Sequence, residues 1–324
     1  MTALAPGRTG AITRVAVSVP GGIGNLGPGL DILGCAVAGL RDEVTAGWSD
    51  TPGVTLLDAG HAELPDDPAR HTSAIAASAV LDIARRRGAR VSAPGIALSV
   101  RKQLPLSGGQ GGSAASAVAG AVAANVLLGS PLDQTALLEC CLRAEETVAG
   151  RHLDNIAPSL LGGIVLVRAV DPIDVVRLPV PDGLRVVLAH PAQRLRTAEA
   201  RGVLPASLPR AVALHQMAQV AAIVAACYTN DLALLGRSID DRIAEPARAP
   251  LLPGFLAAKT AAMTAGALGA SISGAGPTAF AFVEGEEVAA RVAAAMREAY
   301  ERAGVECSAR VTHVDPNGAV VRTA

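Results

Sequence analysis

Three glycine-rich segments punctuate the chain in order and at roughly even spacing: "PGGIGNLGPGLDILG" from Pro20, "PLSGGQGGSAASAVAG" from Pro105 and "SISGAGPTAFAFV" from Ser271. Glycine is the residue a backbone uses where φ must be positive or where another segment or a ligand must come close. A chain with three such blocks must fold around closely approached loops. The sequence problem is to say what those loops hold.

The first block contains Gly22-x-Gly24-x-x-Gly27 after the β-branched run "TRVAVSV", with Asp42 and Glu43 some way on. Those are the parts of a dinucleotide fingerprint, which needs a helix straight after the glycines to receive the pyrophosphate. Pro28 and Gly29 fall where that helix would run, and inside a helix they cost about 3 and about 1 kcal/mol relative to alanine. Pro20 is equally awkward for a central parallel strand. A P-loop is excluded as well, because it ends in Gly-Lys and neither of the two lysines, Lys102 and Lys259, follows a glycine. There remains "SGGQGGSAAS", where five of the six residues from Ser107 to Gly112 are Gly or Ser. Successive N–H groups in such a loop form an anion-binding nest, and a following helix adds its dipole. A plain turn before a buried Ala-rich helix fits that stretch equally well.

Along the chain, the first part reads as strands and turns, then a helix "TSAIAASAVLDIARRRG" and a strand "GIALSVRKQ". The helix after the second block closes at Gly129 and Pro131, and Ser130 is expected to cap the next, "DQTALLECCLRAEETVA", which runs to Gly150. The pattern loosens between Asp171 and Gly183. The second half alternates helices (Ala211 to Tyr228, Asp231 to Ile243) with strands ("ASISG", "AFAFVE", "SARVTHV"). Two lobes are expected, 1–175 and 176–324. Half the residues are hydrophobic but only 2% are aromatic, so the core must be built from Ala, Val and Leu. The charges, 28 basic against 29 acidic, form no basic stripe and speak against a nucleic-acid partner. Five cysteines without a C-x-x-C pair read as buried thiols in a reducing compartment. The opening "MTALAPGRTG" has no apolar leader core, and the Ala-rich stretch from Ala114 to Gly129 is too short to span a bilayer. The expectation is a cytoplasmic protein with no membrane partner.

The three blocks together resemble the signature motifs of the GHMP small-molecule kinases, and the resemblance is closest to the homoserine kinase branch. "GNLGPGLDILG", "HLDNIAPSLLGG", "TAEARGVLP" and "RIAEPARAPLLPGF" are similar to that branch's first motif, its central turn and its two arginine segments. The likeness runs from about Val15 to Glu284. It implies an α+β, two-lobed fold, with an N-terminal lobe like the ribosomal-protein S5 domain 2 and a ferredoxin-like C-terminal lobe. The implied activity is ATP-dependent phosphorylation of the hydroxyl of L-homoserine, the step preceding threonine synthesis. A homodimer is common among such enzymes.

The same resemblance assigns roles. Gly108, Gly109, Gln110, Gly111, Gly112 and Ser113 form the ATP cradle. Glu145, with Glu146 as alternate, and Ser113 are the magnesium ligands. Asn155 orients the reacting hydroxyl in place of the aspartate base other members use, because an amide takes no proton at neutral pH. His152 and Asp154 contact substrate, with Asp154 as counter-charge to the ammonium or as a base. Arg201 and Arg248 clamp the carboxylate, and Asn25 meets the hydroxyl end. Two departures stand out: Gln110 replaces a usual leucine, and Gly112 a usual serine. They leave room for an altered nucleotide or for a catalytically silent ligand-binding protein on the same fold; a related kinase with a different alcohol substrate is the other alternative.

Overall fold

The computed structural model describes residues 12–89 and 91–323. The peptide read above for a leader, residues 1–10, lies outside the described residues. The first strand, β1 (Arg14–Gly24), carries Pro20 in its interior. It lies antiparallel to β2 (Leu33–Ser49), and their register breaks between Pro20 and Gly21. A proline offers no N–H to the ladder, and a break of this kind is where a sheet tolerates it. The dinucleotide pattern therefore ends a strand and enters a turn.

There follow β3 (Gly53–Asp58), α1 (Thr72–Arg86), β4 (Gly95–Arg101), α2 (Gly112–Leu127), α3 (Gln134–Glu146), α4 (Ile156–Leu161), β5 (Ile164–Val170) and β6 (Ile173–Leu178). Helix α2 is buried on every side except its first two residues. That is why it shows no polar stripe, and why its N-terminus is the part left facing open space. Ser130 takes a left-handed conformation. The cap of α3 is instead Asp133, whose carboxylate accepts the Ala136 N–H at 2.9 Å.

The second half contributes β7 (Leu184–Pro191), α5 (Thr197–Gly202), α6 (Arg210–Thr229), α7 (Leu232–Arg237), α8 (Ala244–Arg248), α9 (Phe255–Thr264), β8 (Gly269–Ile272), β9 (Ala279–Glu284), α10 (Glu286–Arg302), β10 (Cys307–Thr312) and β11 (Val320–Thr323). The helix expected over 231–243 stops at Arg237 (α7), and α8 begins only at Ala244. Asp241 accepts the N–H groups of Ile243, Ala244 and Glu245, starting α8 afresh. By length and composition α6 could cross a membrane; it turns Gln216, Ile223, Ala226 and Cys227 inward.

Two sheets organise these elements. A seven-stranded sheet runs β11-β1-β2-β4-β3, with β5 on β2 and β6 on β5; a four-stranded antiparallel sheet runs β10-β7-β9-β8. The expected dividing point at 175/176 falls inside β6, so sheet membership changes over at 179–183, and the last strand returns to the first sheet. One apolar cluster fills the space among the first sheet, α1, α2 and α3. A second lies under α9 and α10. A third joins Ile23 and Leu33 from the first sheet to Leu188, Phe280 and Phe282 from the second, so the halves share a core. The cleft lies beside that shared core.

Candidate functional site

The three glycine-rich segments meet. Gly22 N donates to Gln110 O at 3.1 Å, and Gly274 N to Gly24 O at 3.1 Å. Ser273 Oγ donates to Gly109 O at 2.6 Å. Such approaches leave no room for side chains. A Cβ on Gly24 would lie 2.5 Å from Asp154 Oδ2, and one on Gly109, where φ is +71°, would lie 2.6 Å from the carbonyl oxygens of Ser273 and Gly276. The glycines serve close backbone packing around a cleft of about 860 Å³. Every residue singled out above lines this cleft except Gln110 and the alternate acid Glu146. The side chain of Gln110 turns away from the cavity, towards Thr278 and Arg310, so only its backbone N–H is offered to the cradle.

At the cradle, Gly111 (φ +66°) caps α2 without any side-chain bond, so the helix opens onto the cleft with its first N–H groups. Lys102 lies against it. Its Nζ donates to Gly112 O and Ser116 Oγ, both at 2.9 Å, and to the fully buried Asp42. Asp42 also accepts the N–H groups of Gln103 and Leu104. The acid that completed the dinucleotide pattern thus anchors the start of the second glycine loop. A Cβ at Gly112 would approach Lys102 Nζ to 3.4 Å.

Ser113 Oγ, one residue into α2, donates to Glu145 Oε1 at 3.1 Å, while Glu145 Oε2 is buried without a partner. Burial pushes the Glu145 carboxyl up to about 7, with Asp154 adding to the shift and the Ser113 bond opposing it. Two hard oxygen donors, one of them orphaned, suit a magnesium ion that keeps most of its waters. Glu146 points outward, 3.7 Å from Arg151, so the helix turns one acid of the pair into the cleft.

The other end of the cleft carries the charges. Arg201 meets Asp31 with both terminal nitrogens, at 2.7 and 3.2 Å, and its Nε donates to Ala149 O. His152 Nδ1 is 3.4 Å from Asp31, and burial lowers its pKa. Arg248 is buried, donating to Ala200 O at 3.1 Å and Gly274 O at 2.9 Å. Among the described residues no carboxylate lies within 4 Å of it. Burial and neighbouring Arg201 lower its pKa.

Asn25 and Asp154 are tied into hydrogen bonds within the protein. Asn25 braces the site: its Nδ2 donates to Gly274 O at 3.0 Å and its Oδ1 accepts Asp31 N at 3.0 Å. Asp154 is buried, accepting Asn25 N and Asn155 Nδ2, each at 3.2 Å. Its carboxyl is pushed up to about 7, by burial first and by Asp31 second. Asp31, which stands in the quoted "GLDILG" and was not singled out there, carries the bidentate pair with Arg201 and faces His152. Asn155 Oδ1 is buried and unpartnered, 3.0 Å from where a Cβ on Gly111 would stand. A lone acceptor therefore faces the end of the phosphate loop.

With that geometry described, comparison with known proteins is informative. Residues 74–163 match the family model for the GHMP kinases N terminal domain, and residues 223–302 that for the GHMP kinases C terminal domain. A homoserine kinase of Chlorobium phaeobacteroides (strain DSM 266) is 41% identical over 285 residues, 86% of this chain and 89% of that protein. One from Arabidopsis thaliana is 39% identical over 309 residues, 93% and 82% of the two chains. The crystal structure of homoserine kinase from Cytophaga hutchinsonii superposes with a TM-score of 0.90 at 37% identity, covering 99% of this chain and 100% of that one.

Proposed function

Because the chain belongs to the GHMP kinase family, in its homoserine kinase branch, we propose that it transfers the γ-phosphoryl group of ATP to the side-chain hydroxyl of L-homoserine. The observation that carries the choice of substrate is the charge arrangement at one end of the cleft. Arg201 pairs with the carboxylate of Asp31, and Arg248, lining the same cleft, has no acid of its own within 4 Å among the described residues. A zwitterion with carboxylate and ammonium on one carbon complements such an arrangement; mevalonate or a sugar offers no ammonium.

In this reading Arg248, which has no acidic partner, takes the substrate carboxylate with Arg201 in support, since a guanidinium fork suits that group. Asp31 takes the ammonium, and His152, kept neutral by burial, completes that end. Asp154 orients Asn25 and Asn155 through its two accepted bonds. The unpartnered Asn155 Oδ1 accepts the reacting hydroxyl and aims its oxygen at the loop end. The triphosphate lies on the N–H groups from Gly108 to Ser113. The hydroxyl oxygen then attacks the γ-phosphorus, the bond to the β–γ bridging oxygen breaks, and ADP leaves. The alcohol proton departs late, to the transferred phosphate or to solvent, because catalysis of this type is mostly positioning and charge stabilisation. Glu145 and Ser113 would hold magnesium, which when bound offsets negative charge on the β- and γ-phosphates. We further propose a cytoplasmic location and a homodimer, as expected from the sequence.

A coupled ADP-release assay with and without L-homoserine tests the reading directly. Turnover that depends on homoserine, with ATP binding and no NADH binding by calorimetry, is the expected result. ATP bound without turnover on any amino alcohol would instead favour the silent ligand-binding protein.

A further inference from the structure

The side chain of Gln110 faces away from the cleft, into a buried polar network that crosses between the two sheets. Its Nε2 donates to Thr278 Oγ1 at 3.2 Å, and its Oε1 accepts from Arg310 Nη2 at 3.1 Å. The Thr278 hydroxyl donates to Gly108 O and accepts from His190 Nδ1 at 2.9 Å. A hydroxyl has one proton and two lone pairs. With the proton on Gly108 O, both lone pairs are taken by Gln110 and His190. The Gln110 amide can then face only one way, with its oxygen towards Arg310.

Arg310 is half-buried on β10, and its Nη1 donates to Ala38 O at 3.0 Å. Among the described residues no carboxylate lies within 4 Å of it. A guanidinium holds its proton under these conditions, so its charge stays unneutralised one hydrogen bond behind the glycine loop. Neither Gln110 nor Arg310 lines the cleft. We propose that Gln110 and Arg310 are positioning residues for the nucleotide: Gln110 fastens the phosphate loop to the second sheet, and the Arg310 cation behind it favours the bound triphosphate. The departure at residue 110 is in this view matched to Arg310. A leucine there would leave the guanidinium with the Ala38 carbonyl alone and Thr278 with His190 as its one donor. The inference rests on the kinase reading above and deepens its nucleotide half.

The test is calorimetric binding of ATP–Mg²⁺ and of L-homoserine to the intact chain, with melting temperature as a control. Arg310→Met removes the charge, Arg310→Lys keeps it, and Gln110→Glu neutralises it in place while allowing an ion pair with Arg310. The expected results are about tenfold weaker ATP binding in Arg310→Met and Gln110→Glu, homoserine affinity within about twofold of the parent chain, and recovery of most of the ATP affinity in Arg310→Lys. A purely structural role would lower the melting temperature and both affinities together, and that result overturns the proposal. So does unchanged ATP affinity in the two charge-removing variants. If Arg310→Met does not fold, Gln110→Glu carries the same comparison. Failure of the parent chain to bind ATP would sink the kinase reading itself, a result distinct from parent-like ATP binding by the variants.

Discussion

The hydroxyl of Ser113 donates to Glu145 Oε1 at 3.1 Å, joining the first turn of α2 to the last turn of α3, and the second Glu145 oxygen is left buried without a partner. The pair puts an oxygen-donor site against the N-terminus that opens on the cleft. Glu145→Gln should lower kcat by about 10²-fold or more, on the scale of losing one electrostatic stabiliser of the transition state, with the homoserine KM within a few-fold. Glu146→Gln, on the outward face, should change neither. The reverse ranking in steady-state kinetics would refute the metal assignment.

The choice between Asp31 and Asp154 as ammonium partner has a direct measurement. Asp31→Asn leaves Arg201 and His152 without their shared carboxylate and should raise the homoserine KM by roughly 30-fold or more. Asp154→Asn keeps an acceptor for Asn25 N and should act mainly on kcat, by loosening Asn155. A larger KM effect in Asp154→Asn would return the ammonium contact to that residue.

Arg248→Ala removes one partner of a buried charged hydrogen bond, a change that commonly costs about 2–5 kcal/mol, or roughly 30- to several-thousand-fold in affinity. The homoserine KM should rise accordingly, with the ATP KM within a few-fold. The parent enzyme should reject homoserine esterified at its carboxylate, and the variant should discriminate far less between acid and ester. Equal discrimination by both would mean that Arg248 never meets the carboxylate.

Asp154 also makes stability depend on pH. Burial pushes its folded carboxyl up to about 7, from the 3.8 of a free aspartate side chain, so the folded chain holds this proton more readily than the unfolded one. The contribution is present in full below about pH 4 and is withdrawn as pH rises through 7. At 1.36 kcal/mol per unit, it is on the order of a few kcal/mol. The difference in melting temperature between the parent chain and Asp154→Asn should therefore widen in the variant's favour from pH 5 to pH 8. Parallel curves would show that Asp154 is ionised throughout.

Local chemistry was legible in the order of the residues. Pro28 and Gly29 ruled out a helix after the first glycines, the Gly/Ser run before Ala114 announced a loop opening into a helix, and the "HLDN" turn and two arginine segments marked the polar end of the site. The first two readings depend on dihedral preferences and near-neighbour spacing, which a linear pattern carries, and the last on the resemblance to the family's motifs. At one helix start the pattern was a poorer guide. Ser130 was expected to cap α3, but it takes a left-handed turn and Asp133, three residues on, is the cap.

What only the tertiary structure decided was which groups are buried together. Asp31 and Asp154 are both aspartates beside recognisable motifs. Burial raises the pKa of one, while a bidentate bond to Arg201 holds the other at the open end of the cleft. Glu145 differs from Glu146 only in the helix face turned towards Ser113. Gln110 stands in the cradle by its backbone, while its side chain acquires a partner only because β10 brings Arg310 to its amide oxygen. Desolvation and long-range hydrogen bonds set these roles, and both depend on distances across the folded chain that no stretch of sequence contains.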